Sequence, residues 1–414
     1  MALPTGAAAE RRIVLYTATA HTLIHVLEWT YSALLVDIGH QYGAGFFVLG
    51  ALSNVFSYAF GFAALPSGLL TDRLGSQRVL YLCLGGAGLA AVLVGLSPNI
   101  WVLAIALAVL GLTIGLYHPA GISLIAQGVR QRGMALGLHG VAGNLGIAAT
   151  PLLAGALADA FSWRAAYFFL AGLSVVLGLI LRAVRIADEG PPPAATVEPA
   201  VAPNPSGSQP PAAIMLAPLI LVYAAFVLNG FVYSAARTFL PTHIRLKGYE
   251  DLAAAMTTVA LLTGALGQYV GGSLTQRYRL ERLAPIMPVL VVPALVLMGT
   301  THQAMVVVAS AAFVMFSFGG QPVFTSLIAE YTPGHLLGRS YGISFFASFG
   351  LASFGSTYAG FFADRWDTAA VFLALIPFAV LTIVVGFALL ALARGQPQRP
   401  AEARIREPPP FRSD

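Results

Sequence analysis

The sequence predicts an all-α membrane protein of twelve transmembrane helices, arranged as two pseudo-symmetric halves of six. Three observations lead there: a composition with too few charges to coat a soluble surface, apolar stretches of spanning length along the chain, and an internal repeat at a constant offset. The 414 residues are 57% hydrophobic and 9% charged, with a mean hydropathy of +0.79. A soluble domain carries roughly 25% charged residues, so much of this surface must face lipid. The net charge of +5 does not point to nucleic acid, because the basic residues fall in short groups between apolar stretches. The single cysteine, Cys83, excludes an intramolecular disulfide and a cysteine metal cluster.

A bilayer-crossing helix needs about 20 mainly apolar residues. Such stretches lie at 13–37, 46–70, 78–97, 100–126, 134–157 and 164–183, then at 214–240, 252–274, 283–300, 303–328, 339–362 and 368–393. Between the two sets, residues 190–213 are rich in proline and lack apolar periodicity, which predicts a linker. The expected organisation is therefore a first half at 1–189, the linker at 190–213, a second half at 214–393 and a Pro- and Arg-rich tail at 394–414.

The repeat ties the halves together. Gly68-Leu69-Leu70-Thr71-Asp72-Arg73 matches Gly272-Ser273-Leu274-Thr275-Gln276-Arg277 at an offset of 204, and Pro119 with Ser123 to Ala126 matches Pro322 with Ser326 to Ala329 at 203. Gly133, Gly137, Gly155, Ala158 and Asp159 match Gly338, Gly342, Gly360, Ala363 and Asp364 at 205. Parallel repeats of this kind build secondary transporters with the solute site near the midplane, between the halves. With the N-terminus inside, the Lys and Arg count is 17 inside to 4 outside. That bias places both termini, the linker and the tail in the cytoplasm, with the protein in the inner membrane.

Gly68 to Arg78 joins the second span to the third. Gly68 permits close helix approach, Gly75 a tight turn, and Asp72, Arg73 and Arg78 supply charges for a contact that breaks when the halves rock. The pattern resembles the loop signature of the major facilitator superfamily, in which it gates the cytoplasmic side, and the resemblance covers the chain outside linker and tail. Gln276 departs from it where an acid is usual, which implies a weaker latch in the second half. In the fifth span Gly137, Gly140, Gly143 and Gly146 present a smooth packing face, followed by Pro151 and Gly155. Gly146 to Gly155 resembles the fifth-helix motif of proton-coupled drug antiporters, with Thr150 and Ala154 in place of two glycines. Tyr117-His118-Pro119, Gly133 to Pro151, Ala20-His21-Thr22-Leu23 and Pro333 to Asp364 resemble the fosmidomycin-resistance branch. That resemblance implies efflux of a small, anionic compound against protons; His25 departs from the branch, which has an Asn-Asp pair in the first span.

Ionisable groups inside a membrane are costly and point to function. His21, His25, Glu28 and Ser32 share one face of the first span by their i, i+4, i+7 spacing. His118, His139 and Arg237 complete the set. One reading is a proton-coupling and substrate site, with Arg237 neutralising Glu28 or holding an anion. Another gives His21, His25 and Glu28 to a divalent transition metal. A third is a membrane sensor that binds without transporting. Tyr31, Phe56, Tyr58, Tyr117, Tyr223, Tyr233 and Phe324 are candidate cavity-lining rings, and His40, His243, His302 and His335 are expected at the membrane interface. No nucleophile elbow, P-loop, HExxH pattern or cofactor motif is present, so neither an enzyme nor an ATP-driven pump is predicted. The expected partners are a small-molecule substrate, protons and the lipid bilayer, with the chain acting as a monomer.

Overall fold

The computed structural model describes residues 7–184, 215–333 and 336–394. The expected linker, the tail beyond Arg394 and His335 lie outside these residues. Six spans precede the gap: α1 Ala7–Ala33, α2 Phe46–Leu74, α3 Ser76–Leu96, α4 Ile100–Gly128, α5 Arg132–Ala160 and α6 Trp163–Val184. Six follow it: α7 Leu216–Lys247, α8 Ala253–Arg277, α9 Leu280–Thr300, α10 Ala304–Tyr331, α11 over 337–365 and α12 over 368–394. Among the described residues ten helices are long and apolar enough to cross a membrane. The two that hydropathy passes over are α1, which carries the buried charge, and α11, which is broken. The observed bounds follow most of the expected spans to within four residues, but α7 runs on to Lys247, beyond the expected 240, and α1 starts at Ala7, before the expected 13.

Local chemistry sets several ends. Asn99 starts α4 by accepting from the backbone N–H of Trp101 and Val102, and Asp367 starts α12 by accepting from Ala369 and Ala370. Gly75 sits between α2 and α3 at φ 82°, a conformation that favours glycine, as the tight turn requires. The core is built of interlocked apolar faces, while Leu69, Leu89, Trp101, Ile105 and Leu179 stay exposed on the outer surface, as lipid-facing positions do. In α11 a π segment, Phe346–Gly350, and a 3-10 turn, Leu351–Ser353, interrupt the helix. The break lies where Gly350 meets Gly61 of α2 backbone to backbone.

The halves touch at one end and part at the other. At the end opposite the termini, the Asp364 carboxylate accepts from Phe46 N at 2.7 Å and from Phe47 N at 2.8 Å, capping α2 from the end of α11. Nearby, Arg245 lies 3.7 Å from Asp37, and a Cβ on Gly155 would sit 3.4 Å from the Ala254 methyl. Toward the termini the picture reverses. Gly68, Gly133, Gly137, Gly140, Gly272, Gly338 and Gly342 have nothing within 4 Å of where a Cβ would sit. The close approach expected at Gly68 is therefore absent here, because α2 and α11 diverge beyond Gly61 and Gly350. Among the described residues, the structure is open toward its termini.

Candidate functional site

The predicted face of α1 points into the junction between the halves. Glu28 is held on two sides: its Oε2 lies 2.7 Å from His25 Nδ1, and its Oε1 accepts from Arg237 Nη1 of α7 at 3.0 Å. The Glu28 and Arg237 side chains are 1% and 2% exposed. A second Arg237 nitrogen donates to Ser57 Oγ of α2, and the guanidinium stands 5.8 Å over the Phe56 ring. Ser57 carried no sequence signal, since only the fold brings α2 against α7.

The histidines continue the line. His25 Nε2 lies 3.0 Å from His21 Nε2, and His21 Nδ1 lies 2.7 Å from the His139 carbonyl oxygen of α5. A carbonyl only accepts, so His21 Nδ1 is the donor there. The His139 ring stacks on His21 with centroids 3.9 Å apart, and neither of its ring nitrogens has a well-formed hydrogen bond among the described residues. His118 of α4 meets His21 edge-on at 5.1 Å and packs against Phe60 and Phe345. The six candidates, His21, His25, Glu28, His118, His139 and Arg237, thus form one cluster assembled from α1, α4, α5 and α7.

The fifth-span glycines make room for it. A Cβ on Gly143 would lie 2.5 Å from His21 Cε1 and 3.0 Å from His25 Cδ2, and one on Gly146 would strike the Thr22 carbonyl of α1. Close packing of α5 on α1 is therefore what seats the two imidazoles. Gly137 and Gly140, in the same sequence pattern, face open space. One turn of α5 beyond His139, Asn144 donates to Gln268 of α8, which donates to Gln321 of α10, a polar bridge between halves that sequence reasoning missed.

Other residues fall elsewhere. Tyr31 and Tyr117 do not line a cavity: both are buried, with hydroxyls donating to the carbonyls of Leu49 and Thr17. His243 is not interfacial but fully buried, bridging Thr368 Oγ1 at 3.0 Å and the Met298 carbonyl at 2.9 Å. A position near a helix end does not reveal whether neighbouring helices cover it. Ring nitrogens of His21, His25 and His118 lie within 4.8 Å of one another. Glu28 does not join that group, because its two oxygens are taken by His25 and Arg237. Asp72 and Arg73 are exposed at the open end, with no ion pair among the described residues.

A transmembrane bundle with a buried charged cluster at the junction of its halves invites comparison with known proteins. The sequence profile of the Major Facilitator Superfamily matches residues 17–356 and 250–413. The chain belongs to the Major Facilitator Superfamily. Among curated relatives, multidrug resistance protein MdtG from Escherichia coli O1:K1 / APEC is 37% identical over 127 residues, 30% of this chain and 31% of the relative. The chain thus matches about a third of the length of these relatives. Among solved structures, a bacterial homolog of the human lysosomal transporter Spinster, inward-facing and occupied, superposes with a TM-score of 0.76 at 13% identity, covering 93% of this chain and 98% of that one. The peptide transporter POT in complex with sulfate gives 0.74 at 12% identity, covering 92% and 94%. These structural likenesses show the fold.

Proposed function

We propose that this superfamily member exports a small organic solute across the inner membrane by alternating access, in exchange for protons, with the α1 cluster as the coupling site. The observation that carries the reading is the placement of Glu28, Arg237 and four histidines together where the halves part. Groups able to bind an anionic or polar solute and a proton meet there, buried between the halves. The Lys and Arg bias puts both termini in the cytoplasm, so the open mouth faces inward and the conformer is the one that loads solute. Asp72 stands at that mouth, with no ion pair among the described residues, as a latch for the opposite conformer. The 127-residue likeness to a multidrug resistance protein, and the segments resembling the fosmidomycin-resistance branch, favour efflux as the direction. The chain is proposed to work as a monomer.

Metal transport through His21, His25 and Glu28 is the weaker reading. Both Glu28 oxygens are engaged, and the two Nε2 atoms engage each other. The test is a proteoliposome panel of organic solutes, run with and without a pH gradient and with and without added divalent metal. Solute accumulation that follows the pH gradient is the expected result. Flux that requires metal would replace the reading, and solute binding without flux would make the protein a sensor.

A further inference from the structure

The contacts of the α1 cluster fix how many protons it holds. Glu28 Oε2, His25, His21 and the His139 carbonyl form three hydrogen bonds in series, of 2.7, 3.0 and 2.7 Å. Each bond needs one proton. Both ends of the line are acceptors when Glu28 is ionised, and two neutral imidazoles bring only two protons. The third is an extra, bound proton. Without it two nitrogen lone pairs, or a lone pair and a carboxylate, would face each other at hydrogen-bond distance.

We infer that the exchanged proton is a single one, carried by the His21–His25 pair as one shared imidazolium, and that Glu28 is its fixed counter-ion rather than its carrier. This rests on the proton-coupled reading above. Arg237 decides against Glu28 as carrier. Its guanidinium stays charged and pairs with Glu28 at 3.0 Å. A proton on Glu28 would dissolve that buried ion pair, whereas one on the imidazoles leaves it intact. The remaining titratable or charged groups facing the pair are Tyr117 and His118 from α4, His139 from α5 and Arg237 from α7. None of them hydrogen-bonds to His21 or His25 through a side-chain atom.

The release route follows from exposure. The His25 side chain is 15% exposed, against 1% for Glu28, so the proton leaves and enters through His25, beside the ring of His118. Once it leaves, one of the three bonds must break, and His25 is the member free to turn. The cluster then alternates between a net charge of +1, with the imidazolium and Arg237 balanced by one Glu28, and zero.

Glu28→Gln is the discriminating variant. Its amide oxygen still accepts from Arg237, while its amide N–H donates to His25 Nδ1. His25 Nε2–H then donates to His21 Nε2, and His21 Nδ1–H to the His139 carbonyl. All three bonds form with two neutral imidazoles and no bound proton, and the cluster keeps its +1 charge. The variant therefore fixes the geometry of the proton-loaded state.

The experiment is 15N NMR of histidine-labelled full-length protein, with His21 and His25 assigned by their own substitutions. In the wild type one imidazolium shared by the pair is expected, disappearing as pH rises. In Glu28→Gln both rings should be neutral across the same range. Two neutral imidazoles in the wild type throughout the range where transport follows the pH gradient would overturn the inference, as would a protonated Glu28 carboxyl. Either result would leave proton-coupled transport intact as measured in proteoliposomes. The wild-type spectrum decides even if the variant fails to fold.

Discussion

Gly143 and Gly140 lie one turn apart in one glycine pattern, yet the structure gives them opposite roles. A Cβ on Gly143 would stand 2.5 Å from His21 Cε1 and 2.7 Å from His21 Nδ1. Comfortable carbon–carbon contact is about 3.5–4.0 Å, so the overlap is on the order of an ångström. The imidazole cannot swing aside, because Nδ1 is held by the His139 carbonyl and Nε2 by His25. Gly143→Ala must separate α1 from α5 or break the histidine line, and overpacking of this kind costs about 1–3 kcal/mol. Gly140→Ala meets nothing within 4 Å and should gain up to about 1 kcal/mol from helix propensity. The gap between the two variants is then about 1–4 kcal/mol, a separation of several degrees in thermal unfolding midpoint in detergent. Solute exchange should be lost in Gly143→Ala. Equal midpoints for the two variants would refute the packing argument.

Three further outcomes are expected. Asp364→Asn weakens the cap on α2, a contact worth about 0.5–2 kcal/mol. It should therefore raise the outward-open population several-fold, read by thiol labelling of a cysteine placed at Ala254, whose methyl faces Gly155 across that end; unchanged labelling would show that the cap does not hold that end shut. Asp72→Asn should slow transport while sparing expression and solute binding, whereas Gln276→Ala should do much less, and equal loss from both would mean that the halves gate alike. Partial burial works against the Asp367 charge, but Lys247 Nζ at 2.6 Å and the α12 N–H groups outweigh it and hold the carboxyl below its ordinary value. A lowered carboxylate stabilises above the unfolded value of about 3.9 and loses that contribution as pH falls through the folded one. The deficit of Lys247→Gln in unfolding midpoint should be small at neutral pH and vanish only once pH has fallen below the lowered folded value.

The spans were legible because lipid exposure writes itself into composition. The break in α11 was not legible, since it answers the approach of Gly61 from another helix. At the site, helical spacing placed His21, His25 and Glu28 on one face, and the cost of burying charge singled out Arg237. Their pairing was open until the fold joined α1 to α7. Asp364 appeared in the repeat as a match for Asp159, but its partner is a backbone 317 to 318 residues away, which no local pattern marks. The glycine spacing was equally visible at Gly140 and Gly143, and only the neighbouring helix distinguishes them.

The most direct test of proton coupling at the α1 cluster is transport by Glu28→Gln in proteoliposomes, with exchange and accumulation measured side by side. Gln keeps the size of the side chain and both of its hydrogen bonds, so solute exchange across a membrane without a gradient should persist. Accumulation driven by a pH gradient should be abolished, because no proton can be bound and released as the cavity changes sides. Accumulation by the variant at the wild-type rate would contradict the account.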